Sequence, residues 1–249
     1  MRLSVHDDKK MLGEVAAREG ADAIRAAIGT KGSAAIVLAT GVSQFEMLDV
    51  LVREDIDWSK VTAFHLDEYV GMGNDDPASF RRYLEERFVR QVSELGEFVA
   101  IDGKATATSA ELVRLNRRIA NETVDVCFAG IGENGHLAFN DPPADFDVDE
   151  PFILVELDDA CRQQQMGEGW FETFDDVPSR AISMSVRQMM KSKKLILSVS
   201  DARKAKAVLH AVKGQVNNIH PASIIQNHGD CSLHLDPAAA AMLGADRQA

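Results

Sequence analysis

The sequence predicts an α/β protein with a Rossmann-like, doubly wound, mostly parallel sheet that carries helices on both faces. Short apolar, β-rich runs alternate with longer amphipathic stretches along the whole chain, which is the pattern of βαβ units. Several of the short runs contain no charged residue, as expected for strands covered on both faces. Because no repeat or low-complexity segment interrupts the 249 residues, we expect a single domain over residues 1–249.

The first half of the chain is predicted to form two strand and helix units. Apolar residues in 9–28 recur at helical spacing, which predicts the first helix. The uncharged run at 34–39 is predicted as a buried strand, and Ser43 opens the helix that follows it. The run at 61–66 is predicted as the next strand, followed by a glycine-rich loop and a charged helix at about 79–92.

The second half continues the same alternation. Thr108 and Glu111 have the spacing of a capping box, which places a helix start there. The apolar run at 124–130 is predicted as a central strand. The remaining predicted elements are strands at 152–157, 194–200 and 231–236, a loop or short-helix lid at 161–180, a short helix through Met190 and a helix at 201–212.

Composition excludes several classes of partner. With 27 Lys and Arg against 39 Asp and Glu, the net charge of −12 disfavours nucleic acid. The longest uncharged apolar stretch is far shorter than the ~20 residues of a membrane helix, so we expect no membrane partner. Cys127, Cys161 and Cys231 form no CxxC pair and are expected to be reduced, which with the lack of a signal-peptide pattern favours a cytoplasmic protein.

One candidate phosphate-binding turn follows the strand at 34–39. Backbone N–H groups and hydroxyls between a strand and a helix can hold a phosphate. The alternative is an ordinary capping box in which Ser43 pairs with Glu46, and both interpretations stay open. The residues of this turn are Thr40, Gly41, Val42 and Ser43.

A second candidate anion site lies at 200–204. Arg203 and Lys204 fall in the first turn of a predicted helix, where cations oppose the helix dipole. A bound anion would explain that placement, and solvated surface charge is the alternative.

Two further segments carry acid and base candidates. Asp67 directly follows a buried strand, where desolvation can tune a carboxylate as a base, although acidic residues after strands also serve as caps. His136 lies in the segment GIGENGHLAFNDPP among polar groups that can orient its ring, as in a proton shuttle at neutral pH. The glycines of that segment do not open a long helix, so it is not a dinucleotide fingerprint.

No HExxH or Cys/His spacing is present, and we expect no metal and no cofactor.

In their order, these segments resemble the glucosamine-6-phosphate deaminase/isomerase family, whose superfamily includes 6-phosphogluconolactonases. The resemblance runs in order along the full length of the sequence, and GHLAFNDP is similar to the deaminase branch. It implies a sugar-phosphate partner and a homo-oligomer. It also implies that Asp67 moves a proton between C2 and C1 of the open-chain sugar and that His136 assists ring opening. The turn at 40–43 and Lys204 would hold the phosphate.

Three departures from the family pattern bear on the site. Asn134 stands where the family usually has Asp, and Asp141 stands where it usually has Glu, so both belong with the catalytic candidates. The family's phosphate-binding arginine has no clear match, and Arg162 is the nearest candidate. Because neutral Asn stabilises an imidazolium less than a carboxylate does, Asn134 predicts slower or altered ring opening.

The resulting hypothesis is aldose–ketose isomerisation with deamination of a hexosamine 6-phosphate, giving fructose 6-phosphate and ammonia from glucosamine 6-phosphate. Two alternatives remain. One is a 6-phosphogluconolactonase-type hydrolase, which FNDP disfavours. The other is a non-catalytic sugar-phosphate sensor, which Asn134 keeps open and which the net charge disfavours as a DNA-binding regulator.

Overall fold

The computed structural model describes residues 1–244 and contains two β-sheets. The strands are β1 (Arg2–Val5), β2 (Ala34–Leu38), β3 (Val61–His65), β4 (Asp67–Tyr69), β5 (Glu97–Val99), β6 (Val126–Ala129), β7 (Phe152–Glu156), β8 (Arg180–Met184), β9 (Lys194–Val199) and β10 (Cys231–Leu235). Seven strands form a parallel sheet in the order β1-β10-β9-β6-β2-β3-β5. The other three form an antiparallel sheet in the order β4-β8-β7.

Helices connect the strands of the large sheet. They are α1 (Lys9–Lys31), α2 (Phe45–Leu51), α3 (Phe80–Leu84), which continues as a π-helix (Glu85–Val89), α4 (Thr108–Ile119), α5 (Asp159–Gly167), α6 (Val186–Met190) and α7 (Ala205–Lys213). Short 3-10 segments lie at Val42–Gln44, Trp58–Lys60, Phe174–Asp176, Ala202–Lys204, Pro221–Asn227 and Ala241–Leu243. Across residues 1–244, none of the helices combines the length and apolar character needed to span a membrane.

Two hydrophobic cores cover the two faces of the parallel sheet. Alternate residues of β2 divide between them: Ala35 and Val37 pack with α4, α6 and α7, while Ile36 and Leu38 pack with α1 and α2. Helix α1 approaches α2 closely because Gly13 has no side chain, and a Cβ there would lie 2.5 Å from the Cβ of Glu46. The predicted doubly wound α/β fold with helices on both faces is therefore confirmed.

Several local predictions differ from the structure. The segment 67–69 was expected to lead into a loop, but its backbone pairs with β8 and forms β4. Short edge strands β1 and β5 were not predicted, because each has only three or four residues and little apolar pattern. The predicted capping box is wrong: Ala107 precedes the first turn of α4, and the Glu111 carboxylate instead accepts the N–H of Asp102 and pairs with Arg114. The segment at 161–180 was predicted as a loop or short-helix lid; it does include a short helix, but that helix, α5, starts earlier, at Asp159. Its action as a lid stays a prediction.

Candidate active site

A cleft lies at the carboxyl ends of four adjacent strands, β9, β6, β2 and β3. This is the edge at which open α/β sheets bind their ligands. Each strand contributes at least one polar residue or glycine to its wall. The cleft brings together these predicted site residues: Thr40, Gly41, Val42, Ser43, Asp67, His136 and Lys204.

Asp67 lies at the junction between the two sheets. Leu66 donates its N–H to Leu38 of the large sheet and accepts from Met184 of the small one, which fixes the backbone just before Asp67. The carboxylate is 5% exposed, and within residues 1–244 no side chain or backbone group hydrogen-bonds to it. Burial, and then the neighbouring Glu68 charge, raise the pKa of Asp67 to about 8. A buried carboxylate left open to the cleft is suited to accept a proton from a bound molecule.

Glu68, although adjacent in sequence, has a structural role. Its carboxylate accepts hydrogen bonds from the hydroxyl of Ser79 and from the backbone N–H groups of Tyr69, Phe80 and Arg81. These contacts hold the first turn of α3. Burial still raises the pKa of Glu68 to about 7 despite these bonds. Of the two acidic residues after β3, Asp67 is therefore available to a molecule in the cleft, whereas the carboxylate of Glu68 is fully used in hydrogen bonds to the protein.

His136 forms a dyad with Asp141. The imidazole Nδ1 lies 3.0 Å from Oδ1 of Asp141. Burial acts against ionisation of Asp141, but the hydrogen bonds from His136 and Asn134 outweigh it and hold the pKa of Asp141 below its usual value. Because an ionised carboxylate only accepts, Nδ1 is the donor, and Nε2 is the ring nitrogen available for proton transfer.

Asn134 acts on the imidazole through Asp141. Its amide Nδ2 donates to Oδ1 of Asp141 at 2.9 Å and to the Asp158 carboxylate at 3.1 Å. Its Oδ1 accepts the backbone N–H of His136. The carboxylate that contacts the imidazole is Asp141. Asp141 therefore supplies the negative charge that the neutral Asn134 cannot supply. Neither Asn134 nor Asp141 lines the cleft; both lie behind His136.

Gly132 allows the imidazole to lie against the backbone of its own loop. A Cβ at this position would be 2.3 Å from both Cε1 and Nε2 of His136. The loop is closed by a hydrogen bond from the N–H of Gly132 to the carbonyl of His136 at 3.0 Å. No side chain other than hydrogen fits here with the ring in its present place.

Matching turns flank β6 at the end of the cleft formed by the carboxyl ends of β2 and β9. Gly41 has φ +95° and precedes the 3-10 turn Val42–Gln44, while Asp201 has φ +88° and precedes the 3-10 turn Ala202–Lys204. The Asp201 conformation is strained for a residue with a side chain, at a cost of about 1–3 kcal/mol. Its carboxylate offsets part of this cost by accepting the N–H of Arg203 at 2.9 Å. Backbone strain of this kind is typical of ligand sites.

Two cations from the second turn face this end of the cleft. Arg203 and Lys204 both line it, and the side chain of Lys204 is only 7% exposed. Burial lowers the pKa of Lys204 from its usual value. Tyr83 donates its hydroxyl to the carbonyl of Gly41 at 3.0 Å and so anchors the first turn. Carboxylates pair with both cations: Glu168 lies 3.4 Å from Lys204, and Glu133 and Asp201 each lie 3.3 Å from Arg203.

The chain also matches a known protein family. Residues 7–233 match the model of the family described as glucosamine-6-phosphate isomerases/6-phosphogluconolactonase. The chain belongs to this family.

Individual relatives of the glucosamine-6-phosphate isomerase/6-phosphogluconolactonase family agree with the match. A Streptococcus pneumoniae protein named glucosamine-6-phosphate deaminase is 36% identical over 212 residues, which cover 85% of this chain and 89% of that protein. A solved structure described as a monomeric glucosamine-6-phosphate deaminase is 29% identical, with a TM-score of 0.88, covering 97% of this chain and 100% of that one. The 6-phosphogluconolactonase from Trypanosoma brucei shares the fold at 19% identity, with a TM-score of 0.78 and 98% coverage of both chains.

Arg162, the nearest sequence candidate for the family's phosphate-binding arginine, does not reach the cleft. Its guanidinium donates to the carbonyls of Phe174 and Val177 and lies 4.0 Å from the centre of the Phe174 ring. These contacts hold the segment after α5 together and leave Arg162 facing away from Lys204. Arg203 is the arginine that lines the cleft, and its position directly before Lys204 was the available sequence signal.

Sequence reasoning missed three cleft residues on or just after α5: Gln164, Gln165 and Glu168. No motif identifies them, because only the folded helix turns these residues toward the strand ends.

The His136–Asp141 dyad and one neighbouring cysteine are side chains of the types that can bind a metal ion. His136, Asp141 and Cys161 have ligand atoms within 4.8 Å of one another, and hydrogen bonding already accounts for the contact between the first two. The expectation of no required metal stays a prediction.

Proposed function

We propose that the chain is an aldose–ketose isomerase that deaminates a hexosamine 6-phosphate, converting glucosamine 6-phosphate to fructose 6-phosphate and ammonia. One observation carries the proposal. Within residues 1–244 the buried carboxylate of Asp67 has no hydrogen-bond partner, and it shares a cleft with His136 of the His136–Asp141 dyad and with the cations Lys204 and Arg203. The 36% identity with a protein named glucosamine-6-phosphate deaminase supports the choice of substrate.

Ring opening is the first chemical step. The cyclic amino sugar must lose the proton of its C1 hydroxyl, and its ring oxygen must gain one as the C1–O5 bond breaks. Nε2 of His136 is the group placed to carry that proton, since Nδ1 is committed to Asp141. Asp141 favours the charged imidazolium that forms when Nε2 takes up the proton.

Isomerisation follows on the open chain. Asp67 removes the C2 proton, the electron pair moves to form a C1–C2 double bond, and the C1 carbonyl oxygen takes a proton from water to become a hydroxyl. Return of a proton to C1 shifts the double bond to C2 and nitrogen, giving an imine. Water adds to C2 of the imine, and loss of ammonia leaves the ketone of fructose 6-phosphate. The C2 proton is only weakly acidic, so a carboxylate held close to both carbons supplies base catalysis.

The phosphate would lie against the two turns that follow β2 and β9. Lys204 and Arg203 supply positive charge, and the turn at 40–43 supplies backbone and hydroxyl donors. Only a few local donors are needed, so the net charge of −12 does not oppose binding of an anionic substrate.

We also propose a cytoplasmic location, which the free, buried cysteines Cys127, Cys161 and Cys231 support. A homo-oligomer stays a prediction.

The test is to incubate the protein with glucosamine 6-phosphate and with galactosamine 6-phosphate while measuring ammonia and ketose phosphate. We expect both products from at least one substrate and their loss in Asp67→Asn. The matched control is Asp149→Asn, because the side chain of Asp149 is 81% exposed. Turnover that survives Asp67→Asn contradicts the assignment of the base.

Other outcomes identify the alternatives. Hydrolysis of 6-phosphogluconolactone without ammonia release would assign the chain to the lactonase activity of its more distant structural neighbours. Binding of sugar phosphates without turnover of any would assign it a sensor role. Ketose formation without ammonia, from a sugar phosphate that lacks the amine, would make it a simple isomerase.

A further inference from the structure

Glu168, just after α5, forms a buried ion pair with Lys204 inside the cleft. Its Oε1 lies 3.4 Å from Nζ of Lys204, and the two side chains are 5% and 7% exposed. Both residues line the cleft. Lys204, the cation expected to meet the substrate phosphate, is thus already neutralised by a carboxylate of the protein.

The remaining contacts of Glu168 place its carboxylate between the two turns of the anion site. Oε1 accepts from Nε2 of Gln164 at 2.8 Å, and Oε2 accepts from the indole N–H of Trp170 at 3.3 Å. Oε2 also lies 4.0 Å from the position that a Cβ would take on Gly41. The carboxylate therefore lies on the Lys204 side and close to the turn at 40–43, where an incoming phosphate would have to bind.

A phosphate dianion and the Glu168 carboxylate cannot share this position. Two like charges in a poorly hydrated space repel strongly, and Lys204 offers one positive charge at this point. We propose that Glu168 is an internal competitor for the anion subsite, and that it determines specificity by requiring the incoming ligand to displace it from Lys204. The identification of that ligand as a sugar phosphate rests on the proposed function, whereas the competition for the anion site does not.

The competition favours ligands with a doubly charged phosphate. A ligand shifts an equilibrium only by the difference in its free energy of interaction with the two states. An unphosphorylated amino sugar gains nothing from Lys204 and leaves the ion pair with Glu168 intact. A phosphate dianion carries two negative charges where Glu168 carries one, so it gains more from Lys204 than the carboxylate does and can replace it, even though Arg203 stays paired with Asp201 and Glu133.

Displacement of Glu168 from Lys204 also changes the surroundings of Gln164 and Trp170. Gln164 links Glu168 to the loop that carries His136, because Oε1 of Gln164 accepts the backbone N–H of Glu133 at 2.8 Å. The indole of Trp170 loses its acceptor when the carboxylate leaves. Phosphate binding should therefore be visible at Trp170 as well as at Lys204.

The first test compares the binding of inorganic phosphate to the wild-type protein and to Glu168→Gln by calorimetry. Gln keeps the size of the side chain and one of its two acceptor oxygens but leaves Lys204 without its negative partner. We expect the phosphate dissociation constant to fall about tenfold. Glu172→Gln is the matched control, since it makes the same change at an exposed position on the same segment and should bind phosphate as the wild type does. Equal affinity in wild type and Glu168→Gln, or weaker binding by Glu168→Gln, overturns the proposal.

The second test uses the fluorescence of Trp170 in a Trp58→Phe background, which removes the other tryptophan. Phosphate should change the emission of Trp170 while Glu168 is present, and should change it much less in Glu168→Ala. Phosphate binding that leaves Trp170 emission unchanged overturns the proposal, and this holds even if Glu168→Gln fails to fold. Tighter phosphate binding by Glu168→Gln, in a protein that turns over no amino sugar phosphate, would support this inference while contradicting the proposed function.

Discussion

Oδ1 of Asp141 lies 3.0 Å from Nδ1 of His136 and at the same time accepts the amide of Asn134 at 2.9 Å. This shared oxygen links the imidazole to Asp158, which Asn134 also contacts and which caps the start of α5. The proton-transfer group and the helix that covers the cleft are therefore connected by one hydrogen-bonded network. The orientation of His136 depends on every member of that network.

Asp141→Asn is expected to lower kcat by about 10²-fold or more, because the neutral amide no longer stabilises the imidazolium and permits the wrong tautomer. The measurement is the rate of ammonia release from glucosamine 6-phosphate. Asp149→Asn, at an exposed position of the same segment, should retain the wild-type rate. A variant at Asp141 with unchanged kcat would show that the dyad has no part in the reaction.

Asn134→Asp is expected to destabilise the protein by about 1–3 kcal/mol at neutral pH, since it would place a third carboxylate between Asp141 and Asp158. The loss should diminish as the pH falls, because protonation of one of the carboxyls relieves the repulsion. Urea unfolding at neutral and at acidic pH measures this difference. A penalty that is equal at both pH values would rule out repulsion as its cause.

Gly132→Ala is expected to reduce activity strongly, because its Cβ would lie 2.3 Å from the imidazole of His136 and force the ring out of place. Gly229→Ala is the matched control, since a Cβ there meets no atom within 4 Å. The measurement is kcat/KM for both variants. Wild-type activity in Gly132→Ala would contradict the present position of the ring.

The activity of the wild-type protein should rise with pH through about 8, because Asp67 works as a base only when it is deprotonated and its pKa is raised to about 8. The measurement is kcat/KM from about pH 6 to about pH 9. A profile that is flat across this range would contradict a base with a raised pKa.

Asp67→Asn should make the folded protein more stable at high pH. The pKa of Asp67 is about 8 in the folded protein and about 3.9 when unfolded, so the folded state holds the proton more tightly. Its contribution to stability is fully present below about pH 4 and is lost as the pH rises through about 8. We expect Asp67→Asn to exceed the wild type by several kcal/mol at pH 8, since each pKa unit is worth about 1.4 kcal/mol, and to match it near pH 4, as measured by urea unfolding.

The sequence allowed the catalytic and anion-binding turns to be predicted because each follows a strongly apolar strand. Parallel strands deliver their carboxyl ends to one edge, so Asp67, His136 and Lys204 were expected to meet without knowledge of any contact. The edge strand β5 escaped prediction because three residues carry too little periodicity.

The positions of Glu168 and Arg162 depended on tertiary packing. Both lie on or just after α5, and only the folded orientation of that helix decides which side chain faces Lys204. Asn134 was expected to support His136 directly, whereas it does so through Asp141, because loop closure brings the two together. Such pairings depend on loop conformation, which local residue patterns do not specify.

The fate of the C2 hydrogen tests the central claim most directly. Glucosamine 6-phosphate labelled with deuterium at C2 is incubated with the wild-type protein and with Asp67→Asn, and the label is followed by NMR. The account predicts that the wild type breaks the C2–deuterium bond, moving the label to C1 of fructose 6-phosphate or to water, while Asp67→Asn leaves it at C2. Cleavage of that bond by Asp67→Asn at the wild-type rate would contradict the assignment of Asp67 as the base.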